Sequence, residues 1–289
     1  MASELELADN YEDMFINAVN NGVQYLCGYM DIKSLIIGLS GGIDSALSCV
    51  IARKVCNIMK SKKGRSIELR GYSLPLASVK EETMRARKIG TLCHMFEEVT
   101  LIDQYLSMLS MIDQPSGKIR KGNVKARLRM MYLYDKSSEF DGIVLSTDNL
   151  TEYYTGFWTL HGDVGDLGLV QNLWKTEIYG VSEYYTKNYK SDILRESIDA
   201  VPTDGLGITD TDLDQLLPNW NGNHEDGYRC VDEALIRYIT RGQAGGSVIS
   251  RHTNTMFKRC NPFNPSRASL LQPVHPESDY LKRNFNGRL

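Results

Sequence analysis

Through the first half of the chain, short apolar runs alternate with longer stretches in which apolar residues return every three or four positions. A solid apolar run bounded by breakers suits a buried strand, and a period near 3.6 marks a helix. Residues 10–29 set Met14, Phe15, Ala18, Val19, Val23 and Leu26 on one helical face. Ser34, Leu35, Ile36 and Ile37 suit a buried parallel strand, and a helix with an apolar face follows over 46–55. A polar loop at 60–66 leads to a second strand over 67–74, stopped by Pro75. Residues 78–93 then read as a helix and 97–101 as a third strand. Residues 102–113 are helical, 115–117 break the chain, 123–139 form a strong helix and 142–147 a fourth strand. Strands alternating with helices predict an α/β fold, a parallel sheet with helices on both faces and right-handed crossovers.

Ligands of such sheets bind beyond the carboxyl ends of the strands. Three stretches fall there: 38–45, 73–75 and 146–152. The first is Gly38, Leu39, Ser40, Gly41, Gly42, Ile43, Asp44 and Ser45. A strand ends, small residues allow a tight turn, and a helix begins, so free N–H groups and the helix dipole form a seat for phosphate. The common P-loop ends in Gly-Lys-Ser/Thr; here that lysine is absent and Asp44 sits in the turn. A carboxylate beside a triphosphate calls for a bridging cation, Mg²⁺ for preference, and suits chemistry that releases pyrophosphate. An ordinary glycine-rich turn is the bland alternative.

Thr147 closes the fourth strand, and Glu152 stands near the start of the next helix. Glu152 could share a cation with Asp44, or simply complement the helix dipole. Residues 118–129 carry six basic side chains in twelve, with Gly122 and Asn123 placing a helix start inside the run. A solvated helix face explains them, but cations at a helix N-terminus also invite an anionic ligand or partner carboxylates. Gly162, Asp163, Gly165 and Asp166 suggest a structured loop that presents acceptors, with a helix beginning near Lys175. His161 reads as an ordinary loop histidine.

The 289 residues suffice for one large α/β domain with an appendage or for two small domains. A net charge of −3 offers no electrostatic case for nucleic acid or an anionic membrane. No uncharged run approaches spanning length, and the acidic N-terminus lacks the layout of a secretion signal. The six cysteines form no Cys-x-x-Cys pair, so reduced thiols and a cytoplasmic location are expected.

The loop at 38–45 resembles the pyrophosphate loop of the N-type ATP pyrophosphatases, and the ordered set resembles NAD synthetase. Asn-x-Lys-Ala-Arg appears at Asn123–Arg127, and Ser146-Thr147 with Glu152 matches Gly-Thr-x-x-x-x-Glu. Thr155-Gly156-Phe157, Gly162-Asp163, Lys175, Pro202-Thr203 and Lys258-Arg259 follow in order. The resemblance implies an adenine nucleotide alpha-hydrolase-like (Rossmann-like) fold and one synthetase domain over 1–289 with a divergent segment over 205–289. It implies ATP on 38–45, Thr147, Lys175 and Thr203, and Mg²⁺ on Asp44 and Glu152. Arg127, Asp166 and Lys258 would contact deamido-NAD at a site spanning a homodimer interface. Asp44 and Lys175 would serve the chemistry, an adenylation of deamido-NAD followed by attack of ammonia, and Asp44→Asn should abolish AMP formation with the fold intact. No glutaminase domain is read here, so ammonia is expected free or from a separate protein. Departures are Leu160 where small bacterial enzymes carry Lys, Phe257 where they carry His, and an altered stretch over 207–226. The rivals are a GMP-synthetase-like or tRNA-modifying member, or a degenerate nucleotide binder.

Overall fold

The computed structural model describes residues 5–76, 78–112, 117–203, 209, 211–243, 245–260, 262 and 264–271. The break expected at 115–116 and parts of the altered stretch, 207, 208 and 210, lie outside the described residues, as does the tail from 272. In chain order the elements are α1 (Tyr11–Gly28), β1 (Ser34–Gly38), α2 (Ile43–Lys63), β2 (Glu68–Ser73), α3 (Lys80–Gly90) and β3 (Met95–Glu98). Then come α4 (Ile102–Met111), α5 (Lys118–Glu139), β4 (Gly142–Ser146), α6 (Leu150–Thr155), β5 (Leu167–Gly168) and α7 (Lys175–Asn188). The remainder is helical: α8 (Arg195–Ile198), α9 (Asp212–Leu216), α10 (His224–Arg241), α11 (Gly246–Asn254), α12 (Met256–Arg259) and α13 (Arg267–Leu271). Among the described residues no helix is long and apolar enough to cross a membrane.

The strands form one parallel sheet in the order β3-β2-β1-β4-β5. Strand alternation divides the core. Leu35 and Ile37 point into a cluster with Leu26, Leu47, Ile51 and Ile178, supplied by α1, α2 and α7. Ile36 points the other way, to Val144, Tyr72, Leu128 and Leu133, beneath α5. Helices therefore cover both faces, which is why β1 is apolar at successive positions.

Three expectations are corrected. The third strand runs over Met95–Glu98 and pairs with Arg70–Ser73, two residues earlier than expected, with Val99 and Thr100 past its end. The helix expected to start at Asn123 starts at Lys118, capped by Gly117, so Gly122 and Asn123 lie inside it. Gly122 is buried there, and packing against neighbours offsets the helix cost of glycine. The polar loop at 60–66 is mostly the end of α2, which Gly64 terminates in the left-handed conformation at φ 66°. Its Arg65 is no solvated loop residue, since its guanidinium donates to the carbonyls of Leu26, Tyr29, Met30 and Ile32 and ties α1 to the entry of β1.

The chain leaves β1 toward β2 on one side of the sheet, while β4 and β5 lie on the other. The loops after β1 and β4 part at this switch point and leave a crevice at the strand ends. Both glycine- and carboxylate-bearing loops of the sequence reading open there.

Candidate active site

A cavity of about 350 Å³ occupies the crevice. Its wall includes Gly38, Leu39, Ser40, Gly42, Ile43, Asp44 and Ser45, and also Thr147, Glu152, Lys175 and Thr203. Gly41 is turned away from it. At φ 85° it takes a conformation that a side chain resists, and a Cβ there would come within 2.3 Å of the Glu82 carbonyl oxygen. The Gly41 carbonyl accepts from Arg85 Nε at 2.9 Å and from Ser197 Oγ at 3.2 Å. Inside the loop, Gly42 N–H donates to Ser40 Oγ at 3.2 Å, and Ser45 Oγ donates to the Gly42 carbonyl at 3.1 Å. The first turn of α2 follows directly, with its unpaired N–H groups and Asp44.

Asp44 joins the loops of β1 and β4. Its Oδ1 accepts from Asn149 Nδ2 at 2.8 Å, and its Oδ2 accepts from the ammonium of Lys175. Asn149 also caps α6 in a capping box: its Oδ1 accepts from Glu152 N–H at 2.9 Å, and Glu152 Oε2 accepts from Asn149 N–H at 3.2 Å. Glu152 is therefore the helix-start carboxylate of α6, and it lines the same cavity as Asp44. Its carboxyl is pushed well above the usual range by burial and then by the Asp44 charge.

Lys175 opens α7, is 4% exposed, and keeps its proton because the nearby Asp44 and Glu152 charges outweigh desolvation. Its backbone N–H donates to Thr151 Oγ1 at 2.8 Å, and that hydroxyl donates to Asp232 Oδ1 at 2.5 Å. Asp232, fully buried on α10, also accepts from Thr176 N–H at 3.0 Å and Thr176 Oγ1 at 2.7 Å. One carboxylate from the divergent C-terminal segment thus joins the starts of α6 and α7, where Glu152 and Lys175 sit.

Glu82, Asp148, Asp163 and Asp212 also line the cavity, and burial perturbs the middle two. Burial, reinforced by Asp163 and Asp44, pushes Asp148 up to about 7. Asp163 accepts from Thr159 N–H at 2.5 Å and is also raised by burial. Asp148 was not singled out from sequence, nor were Asn149, Arg85, Arg129, Ser197 and Asp232. Only Asn149 had a local signal, the Asn-x-x-Glu spacing of a capping box.

Arg127, Asp166 and Lys258 do not line the cavity. The exposed Arg127 donates twice to the Leu160 carbonyl, at 3.2 and 3.1 Å. Asp166 accepts from Tyr134 Oη and from Val144 N–H, both at 2.8 Å, and so extends the β4 ladder ahead of β5. Lys258 Nζ donates to the carbonyls of Gly156, at 2.7 Å, and Trp158.

The Asp148 shift gives a testable pH dependence. Its pKa lies above the unfolded value of 3.8, so the folded state holds a proton that the unfolded state releases. Its contribution to stability is complete below the unfolded pKa and lost as pH rises through about 7. The stability of Asp148→Asn relative to the parent should rise by roughly 3 kcal/mol between pH 5 and pH 8. Urea unfolding at both pH values measures this, and an advantage that does not grow with pH contradicts the assignment.

Fold and cavity together define an α/β protein with a glycine-rich strand–loop–helix turn, several carboxylates and a buried lysine gathered at the switch point of its parallel sheet. The chain belongs to the NAD synthase family, which it matches over residues 15–258, and the family's members are ligases that form a C–N bond. An NH(3)-dependent NAD(+) synthetase of Mycoplasmopsis pulmonis is 34% identical over 256 residues, 88% of this chain and 90% of that protein. A glutamine-dependent NAD(+) synthetase of Thermotoga maritima is 28% identical over 80% of this chain, which spans 38% of that protein's length. The solved NMN synthetase of Francisella tularensis superposes with a TM-score of 0.71 at 24% identity, over 90% of this chain and 100% of that one. The NH3-dependent NAD synthetase of Campylobacter jejuni superposes at 0.64 and 19%, also over 90% of this chain and 100% of that one. Both have the same fold, the adenine nucleotide alpha-hydrolase-like architecture implied by the sequence.

Proposed function

We propose that this protein amidates deamido-NAD to NAD, consuming ATP and ammonia and releasing AMP and pyrophosphate. The observation that carries the reading is the meeting of the phosphate loop, Asp44, Glu152 and Lys175 in one cavity at the switch point of the sheet. A carboxylate does not acylate ammonia at neutral pH until it has a leaving group. Attack of the pyridine carboxylate on the α-phosphorus of ATP expels pyrophosphate and forms an acyl-adenylate. Ammonia then attacks the acyl carbon, and AMP leaves.

The protein's share is positioning and charge neutralisation. The amides of 38–45 and the N-terminus of α2 hold the outer phosphates, with Ser40 and Ser45 as added donors. Thr147 and Thr203 bracket the nucleotide, and Lys175 moves its charge between Asp44 and the departing pyrophosphate. Among the described residues no three potential metal ligands converge into a ready-made cage. Mg²⁺ needs none, since it is commonly held by one or two carboxylates together with substrate phosphates. Asp44 and Glu152 fit that pattern: they share the cavity, and their mutual repulsion is what a cation relieves. Bound there, Mg²⁺ would neutralise charge on the pyrophosphate.

Arg127, Asp166 and Lys258 are assigned to deamido-NAD outside the single-chain cavity, in a site completed by a second copy. Exposed Met131 and Tyr134 follow Arg127 at i+4 and i+7 on the same face of α5, which supports such an interface. We place the enzyme in the cytoplasm as one domain over 1–289. Neither a GMP-synthetase-like nor a tRNA-modifying activity is favoured by the family match, and the intact Asp44, Glu152 and Lys175 oppose a degenerate binder.

Incubation with ATP, Mg²⁺, deamido-NAD and ammonium should yield NAD, AMP and pyrophosphate in equal amounts. Absence of NAD under those conditions refutes the reading. Running nicotinic acid mononucleotide in parallel measures how much of the dinucleotide the site requires.

A further inference from the structure

Arg129 is a cation of the cavity that the chemistry above leaves unused. It lies on α5 and lines the same cavity as the phosphate loop. Its Nε donates to the Leu74 carbonyl at 3.0 Å, just past the end of β2. That bond uses one of five N–H donors and fixes the plane of the guanidinium. Among the described residues the two Nη atoms have no hydrogen-bond acceptor.

Of the other two cations of the wall, Lys175 is held by Asp44, and Arg85 commits its Nε to the Gly41 carbonyl of the glycine-rich loop, away from the Leu74 end where Arg129 is anchored. Two carboxylates act on Arg129 through their fields, Asp163 and Glu82, but each is bonded elsewhere. Asp163 accepts from Thr159 N–H, and Glu82 accepts from Thr203 Oγ1 at 3.2 Å. Burial lowers the pKa of Arg129 against the pull of both carboxylates. A desolvated guanidinium with open donors is a state that an anion stabilises. Its flat row of N–H groups matches a carboxylate or the non-bridging oxygens of a phosphate.

The geometry points to Arg129 as a substrate-binding residue that grips one oxyanion at the β2 end of the cavity, apart from the Lys175–Asp44 pair. The assignment rests on the proposed function, because both reactants bring such a group: the α-phosphate of ATP and the pyridine carboxylate of deamido-NAD. Arg127 is the neighbour that sequence motifs pick out. It stands two positions away on the same helix, so it projects to a different side and spends its donors on Leu160.

The test uses Arg129→Met and Arg129→Lys in the full chain. Calorimetry measures binding of a non-hydrolysable ATP analogue and of deamido-NAD separately, and steady-state assays measure NAD formation. Arg129→Met should lower kcat/KM about a hundredfold or more, and Arg129→Lys should recover only part of it because the fork is lost. Weakened binding of the ATP analogue alone assigns the phosphate; weakened binding of deamido-NAD alone assigns the carboxylate. Unchanged affinity for both ligands and unchanged turnover, in variants that melt like the parent, overturn the proposal. If the parent makes no NAD, the proposed function falls, while the ATP-analogue arm still decides the role of Arg129. If the Met variant does not fold, the Lys variant carries the same readouts.

Discussion

Asp44→Asn is expected to remove AMP formation and, in the same step, about 3–5 kcal/mol of folding stability. The sequence alone led to a different expectation, in which the fold was indifferent to this change. The structure supplies the reason for the revision. Lys175 is 4% exposed, and its ammonium is held by Asp44. Asparagine leaves a buried positive charge without its bonded counter-ion, and Glu152 compensates only in part. Pairing Asp44→Asn with Lys175→Met should therefore restore most of the stability while activity stays absent. Urea unfolding of the parent, both single variants and the double variant resolves the coupling. Additive stability losses in that set would show that the two side chains do not support each other. Retained AMP release in Asp44→Asn would remove the carboxylate from the chemistry.

The second large effect is expected at Asp232, which does not itself line the cavity. Asp232→Asn keeps the volume but presents an amide to groups that now donate to a carboxylate: Thr151 Oγ1, Thr176 N–H and Thr176 Oγ1. Whichever way the amide turns, one of those donors meets an N–H. An unsatisfied buried donor costs about 1–3 kcal/mol. The start of α7 then loses the hydroxyl relay that fixes the Lys175 amide, and kcat should fall about tenfold or more, because small misplacements of catalytic groups are expensive. Denaturation curves and steady-state kinetics together check this. Full kcat in a destabilised variant would make Asp232 a packing residue only.

These two positions also show what the sequence could and could not convey. The loop at 38–45 was legible because its chemistry is local: a solid apolar run, small residues and a helix onset within a dozen positions. Four strands and the start of α7 were legible for the same reason. Asp232 was not. Its meaning depends on Thr151 and Thr176, 81 and 56 positions away, and a lone aspartate in an amphipathic helix has no local mark. Strand β5 escaped notice because two residues carry no periodicity; it exists because Asp166 continues the ladder of β4. The onset of α5 was misplaced because glycine and asparagine are helix-start signals on exposed helices, whereas here burial of Gly122 holds the turn. Arg129 was visible only as one of several basic residues. Which of them faces the cavity is decided by helix phase relative to the sheet, and that is a tertiary property.

The tethering of Gly41 reaches beyond the loop itself. Its carbonyl is held by a guanidinium 44 positions downstream and a hydroxyl 156 positions downstream, on two separate helices. The shape of the turn is thus set when those helices dock. On the proposed function, affinity for ATP is accordingly tunable from α3 and α8. Drift at either anchor can retune the grip on phosphate while every residue of the glycine turn stays the same.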